Sequence, residues 1–212
     1  MKTKGDVKIA GEFTVDHWKA RKIVLEAVGG QQNWKQAYED FFVGRLKTRY
    51  LRPIDLLIKD GVNAGEGFSI VALHCTLIEF LASTLEGKCY KHCPPGTKTE
   101  CGDYEYSNPS TLFKEFLSSA IPFKKYFSKT QACKFYENVR CPLLHEARTK
   151  DGWKIRAGGS ADRPIDVEEK IVYRNELQEA FEEFVKWYGE NLPKCKKLQE
   201  AFIRKFESLC IE

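Results

Sequence analysis

The chain lacks a Gly-rich phosphate loop, a G-x-S-x-G elbow and an H-E-x-x-H helix. ATP-dependent, α/β-hydrolase and zincin chemistry are therefore unsupported. It also lacks a long uninterrupted apolar run. The most apolar stretch, Phe68 to Ser83, holds His74 and Glu79 and is shorter than a membrane span. No apolar segment follows MKTKGDVK at the start, so no secretory signal is expected. A soluble cytosolic protein with no membrane partner is the expectation. Charge of one sign is scarce too. Lys and Arg number 34 against 30 Asp and Glu, a net +4, so any nucleic-acid contact must come from a local patch.

Low-complexity composition is likewise missing. With 42% hydrophobic and 30% charged residues, 15 Gly and 8 Pro, the 212 residues are neither disordered nor collagen-like. The length suits a single domain, 1–212, with a real core. The eight cysteines in a cytosolic chain read as reduced thiols or metal ligands rather than a disulfide framework. Cys75, Cys133, Cys195 and Cys210 fall in helical patterns, where a thiol serves as a small core hydrophobe.

Periodicity is mostly helical. Trp18, Ile23, Val24, Ala27 and Val28 mark one helix, stopped by Gly29-Gly30. Asn33 reads as the N-cap of a long segment to Asp60, which Pro53 should kink or split near Arg52. A helix from about Gly67 to Glu86 is apolar on nearly every side, as at the centre of a bundle. Glu79 is its odd member, since a lone carboxylate there needs a partner. Residues 88–108 form a loop insert, broken by Pro-Pro-Gly and Gly-Asp steps. Asn108 or Ser107, with Pro109, starts the next helix, Pro122 breaks it, and Lys129-Thr130 begins another. Within 151–174 the alternation Trp153-Lys154-Ile155-Arg156 and the run Ile165 to Tyr173 predict a small β-hairpin. Helices from Asn175 and from Lys194, jointed at Pro193, complete a mainly all-α bundle.

The sharpest motif is Arg140-Cys141-Pro142-Leu143-Leu144-His145. A guanidinium offers a planar, permanently charged fork that fits a phosphate. An imidazole can take and return a proton near neutral pH. Together they suit RNA cleavage without a metal, the 2′-OH attacking the adjacent phosphorus. An unbroken helix would set the two side chains about 140° apart. Pro142 should make the helix kink or restart, so that both can reach one spot. The window 114–156 carries ten Lys and Arg against four Asp and Glu, a net +6, which suits a phosphodiester substrate. The bland alternative is a surface arginine and a structural histidine on a solvated face. His17 and His74 read as structural.

A second constellation is Cys89-x2-His92-Cys93-x7-Cys101, three thiols and an imidazole that could hold a structural Zn²⁺. Free loop thiols, or a disulfide formed on oxidation, are the alternatives. A thiol or zinc regulatory protein is a further reading.

A mostly helical chain with Arg-x4-His near the start of a late helix resembles a HEPN domain. The phrases VRCPLLHEARTKDGW and TLIEFLASTLEGK resemble uncharacterised bacterial HEPN-like proteins over roughly residues 35–190. The resemblance implies a HEPN-like bundle and a metal-independent endoribonuclease of defence or toxin–antitoxin type, with no cofactor. It implies RNA as substrate, a homodimer that unites two motifs in one composite site, and an antitoxin or defence-system partner. It makes Arg140 and His145 the catalytic pair, with Glu79 orienting the arginine. Active members often carry Asn, Asp or His where Cys141 stands, and Pro142 is unusual. That departure points to the alternative, an inactive helical module that binds RNA or protein.

Overall fold

Helix signals along the chain are answered by a mainly α-helical architecture with small β elements in the computed structural model, which describes residues 4–61, 65–94, 100–159 and 162–211. Strands β1 (Lys8–Ala10) and β2 (Phe13–Thr14) lead into α1 (Val15–Ala27). Helices α2 (Gln31–Ala37), α3 (Gly44–Leu46), α4 (Arg52–Asp60) and α5 (Glu66–Glu86) follow, then β3 (Cys89–Tyr90) and β4 (Glu105–Tyr106). Next come α6 (Pro109–Ser119), α7 (Lys129–Phe135), α8 (Cys141–Glu146), β5 (Lys154–Arg156), β6 (Ile165–Asp166) and β7 (Ile171–Tyr173). Helices α9 (Arg174–Asn191) and α10 (Lys196–Ser208) end the chain's regular structure.

Local chemistry explains most boundaries. The Thr14 N–H donates to His17 Nδ1 at 3.1 Å and opens α1. Gly29 and Gly30, at φ 57° and 76°, close it in a backbone region that other residues enter at a cost. Asn33 does not cap the next helix. That helix begins at Gln31, and the Asn33 amide donates to the Gly29 carbonyl at 2.8 Å from inside the first turn. Asn108 does cap α6, accepting from Ser110 N at 3.1 Å with Pro109 in the first turn. Ser128 and Gln131 form a reciprocal box at the start of α7. Asn175 lies inside α9, which starts one residue earlier.

Neither Pro53 nor Pro142 breaks its helix. A π turn, Lys47–Leu51, runs straight into α4, and another, Tyr136–Arg140, runs into α8. The wider turn opens the backbone where a proline ring would otherwise press on the carbonyl four residues back. A further π turn, Tyr38–Val43, links α2 to α3.

The β elements differ from the expected hairpin. β6 and β7 pair antiparallel, while β5 lies parallel on the other edge of β7, giving the order β5-β7-β6. Ile171 and Val172 are buried in the central strand, which places β7 rather than a two-strand turn at the middle. The 88–108 loop is also not wholly irregular, since β3 and β4 pair in parallel for two residues.

Contacts group the chain into two compact units. One comprises Met1–Arg52, Ser83–Ser107 and Tyr188–Glu212. Its core is aromatic: Trp18 lies 5.1 Å from Phe41 and 5.3 Å from Phe206, and Phe42 stacks on Tyr188 at 4.7 Å. The other comprises Pro53–Ala82 and Asn108–Trp187. There Phe116, Phe123, Phe181 and Phe184 form a ring cluster with neighbouring centroids 5.1 to 5.2 Å apart. By length and composition α5 could cross a membrane, yet 61% of its apolar window is buried within the protein, as in a core helix.

His74, fully buried on α5, meets the Gln178 side chain at 3.0 Å, and its Nδ1 has no partner. Burial pushes its pKa down to about 4. Below pH 6.5 the unfolded chain binds a proton that the folded chain refuses, so stability falls as pH drops from 6.5 towards 4. Urea unfolding of the wild type should lose on the order of 3 kcal/mol across that window, and His74→Leu should flatten the dependence. Equal slopes in both proteins would refute the assignment.

Candidate functional site

Phe135, Val139 and Leu143 recur every four residues along the α7–α8 helix, and all are buried. That apolar stripe seats the helix and sets the height of Arg140 beside it. Arg140 Nη2 lies 3.6 Å from Glu79 Oε2, with the two side chains 15% and 24% exposed. The carboxylate that stood out in an apolar helix thus faces a cation. Arg140 Cζ also sits 5.2 Å from the ring centroid of Tyr136, four residues earlier. Its Nε is buried without a hydrogen-bond partner.

The surroundings are tuned by that charge. Cys75 is one turn before Glu79 on α5 and fully buried. Burial pushes its thiol up to about 12, against the opposing pull of Arg140. Burial also raises the Tyr136 phenol, again opposed by Arg140. The sequence marks Cys75 only as a core thiol and does not place it or Tyr136 beside the ion pair. The legible signal was spacing: each stands four residues before a member of the ion pair, hence on the same helix face.

His145 is placed differently. The π turn ends at Arg140, so the residues from Cys141 onward keep ordinary α geometry. Five such residues return the 140° separation that the proline was expected to relieve. Arg140 is half-buried while His145 is exposed on the last turn of α8, which closes at Ala147 with φ 53°. The adjacent Glu146 is bracketed by Arg148 at 2.5 Å and Lys150 at 2.7 Å. Those two cations, Lys150 foremost, hold its carboxyl below the usual range. Arg140 and Glu79 are brought together within one chain; His145 is not brought to them.

The cysteine loop does not converge either. Cys89 Sγ is 3.6 Å from the Tyr104 carbonyl, Cys93 Sγ is 3.7 Å from the Lys91 carbonyl, and Cys101 Sγ is 3.5 Å from Ser107 Oγ. Each thiol has its own acceptor, and no three-residue metal-binding group, His92 included, occurs among the described residues. Comparison with protein-family models, curated proteins and solved structures gives no match to this chain.

The ion pair should be energetically coupled. Glu79→Ala is expected to cost about 1–2 kcal/mol in urea unfolding, because it strands a half-buried guanidinium. Combined with Arg140→Met, the loss should be smaller than the sum of the two single losses. Strict additivity would mean that the two charges do not interact.

Proposed function

We propose that the chain is a HEPN-like, metal-independent endoribonuclease that works as a homodimer. The observation that carries this reading is the Glu79 carboxylate set against the Arg140 guanidinium. A carboxylate in that position orients the arginine and keeps its planar fork directed, as a phosphate ligand requires. In the proposed reaction the 2′-OH attacks the adjacent phosphorus and the 5′-oxygen leaves, giving a 2′,3′-cyclic phosphate. Arg140 stabilises the charge that gathers on the phosphorane-like oxygens. His145 moves the proton. Because Arg140 and His145 diverge along one helix, a second copy supplies the missing groups: two-fold symmetry brings another arginine and another histidine without further sequence. RNA is the proposed substrate, and the protein is proposed to act in the cytoplasm with an antitoxin or defence-system partner.

A second reading has its own support. Arg140 is 15% exposed and engaged with both Glu79 and Tyr136, and Cys141-Pro142 follows it. A guanidinium so occupied suits a helical module that binds RNA or protein without cleaving it.

Incubation of the purified protein with RNA in EDTA separates the two. The nuclease reading expects cleavage that persists in EDTA and ends in 2′,3′-cyclic phosphate. His145→Ala and Arg140→Ala should each lower the rate by at least about 100-fold. Binding with no cleavage by the wild type would establish the second reading in its place.

A further inference from the structure

Cations that take no part in the Arg140–Glu79 pair gather beside it in the same unit. A cavity of about 320 Å³ opens between α6 and α7, lined by Thr111, Lys114, Glu115, Ser118, Lys129 and Cys133. Among the described residues neither Lys114 nor Lys129 has a carboxylate within ion-pair distance. Lys114 Nζ rests instead 3.8 Å from Cys133 Sγ and 5.3 Å from the Tyr136 ring centroid. That is the ring that Arg140 approaches at 5.2 Å. The ammonium and the guanidinium therefore lie no further apart than those two distances combined. One extended strand can span both groups. Like charges held so close repel, and a shared polyanion relieves the repulsion.

The remaining lining fits an anion's requirements. Thr111 is exposed and offers a hydroxyl donor. The Ser118 hydroxyl donates to the Lys114 carbonyl at 2.9 Å, so it contributes no donor to the cavity. Glu115 is the one carboxylate among the lining residues and is exposed to solvent. Glu137 accepts from the Cys133 thiol at 3.1 Å and forms no ion pair with Lys114 among the described residues. Two ammonium groups act as compact point charges suited to phosphate oxygens.

We infer that this cavity is a phosphodiester-binding site, in which Lys114 and Lys129 hold a backbone phosphate of the same single strand that reaches Arg140. The identity of the strand as RNA rests on the proposed function; the site itself rests on two lysines that have no ion-pair partner among the described residues and on the Tyr136 ring that Lys114 shares with Arg140. Binding there is independent of base sequence and falls steeply with salt.

The probe is a fluorescein-labelled single-stranded RNA oligonucleotide, titrated by anisotropy against the full chain over a salt series. Replacing both lysines (K114Q with K129Q) should make the slope of log affinity against log salt shallower by about 1.4, at roughly 0.7 per phosphate contact on a single strand. The same loss of charge at two exposed lysines of the other unit (K35Q with K47Q) should leave the slope unchanged. Thermal melting of each variant confirms that it is folded. An unaltered slope in the first pair, or an equal change in the second, overturns the site. Binding without cleavage refutes the nuclease reading and leaves the site standing. No binding by the wild type overturns both.

Discussion

A carboxylate on an otherwise apolar helix costs free energy unless a cation is placed against it, and Glu79 is such a carboxylate. Its neighbours on α5, Ile78 and Leu77 before it and Leu81 after it, are fully buried. The cation must therefore arrive at one height and one angle. Phe135, Val139 and Leu143 accomplish that by seating the α7–α8 helix through an apolar stripe, with Arg140 directly after the middle residue. Other features follow from the same placement. Tyr136 lies under the guanidinium because it stands one turn earlier. Cys75 stays a neutral thiol because it shares the Glu79 face at greater depth. Lys114 reaches the remaining part of the Tyr136 ring.

The two prolines show how a helix can keep its course where propensity argues against it. Proline inside a regular helix costs roughly 3 kcal/mol, through a lost donor and a clash with the carbonyl four residues back. Both Pro53 and Pro142 stand at the second position after a π turn. The wide turn moves the carbonyls out of register with the ring. At Pro142 the consequence reaches the candidate site. The irregularity ends at Arg140, so it turns the arginine towards α5 while leaving the path to His145 regular.

Helix existence was legible wherever apolar residues recur at three- and four-residue steps, and punctuation was legible where it is chemical: Gly29-Gly30, Asn108-Pro109, Pro193. Asn33 failed as a cap because Gly30, with its positive φ, already provides the entry. The Ser128-x-x-Gln131 spacing carries the reciprocal box that opens α7. The β segment was found, while its pairing was not, since period-two alternation says which residues face inward but not whether β5 runs with or against β7. At the site, the need of Glu79 for a partner was legible from hydrophobicity alone. The partner's direction was not, because a π turn leaves no compositional mark. The zinc-like spacing of Cys89, His92, Cys93 and Cys101 supplied ligand types without geometry. Each thiol finds a local acceptor instead.

Anchoring and exposure divide the Arg-x4-His motif into two unlike halves. Arg140 is held by a carboxylate and an aromatic ring, and so enters any reaction already oriented, with little rotamer entropy left to lose. His145 stands exposed at a helix end, beside a Glu146 that is bracketed by Arg148 and Lys150. An oriented cation and a mobile proton carrier are what phosphodiester cleavage asks for, but one helix presents them about 140° apart. Closing that angle inside a single chain would require unwinding α8, which would expose the buried Leu143. On the proposed reading, apposing two copies would close it with each helix intact, and Leu144, exposed beside His145, would enter the contact. On the proposed reading, assembly is thus the less costly route to a complete site, and activity should depend on protein concentration in the range where dimers form.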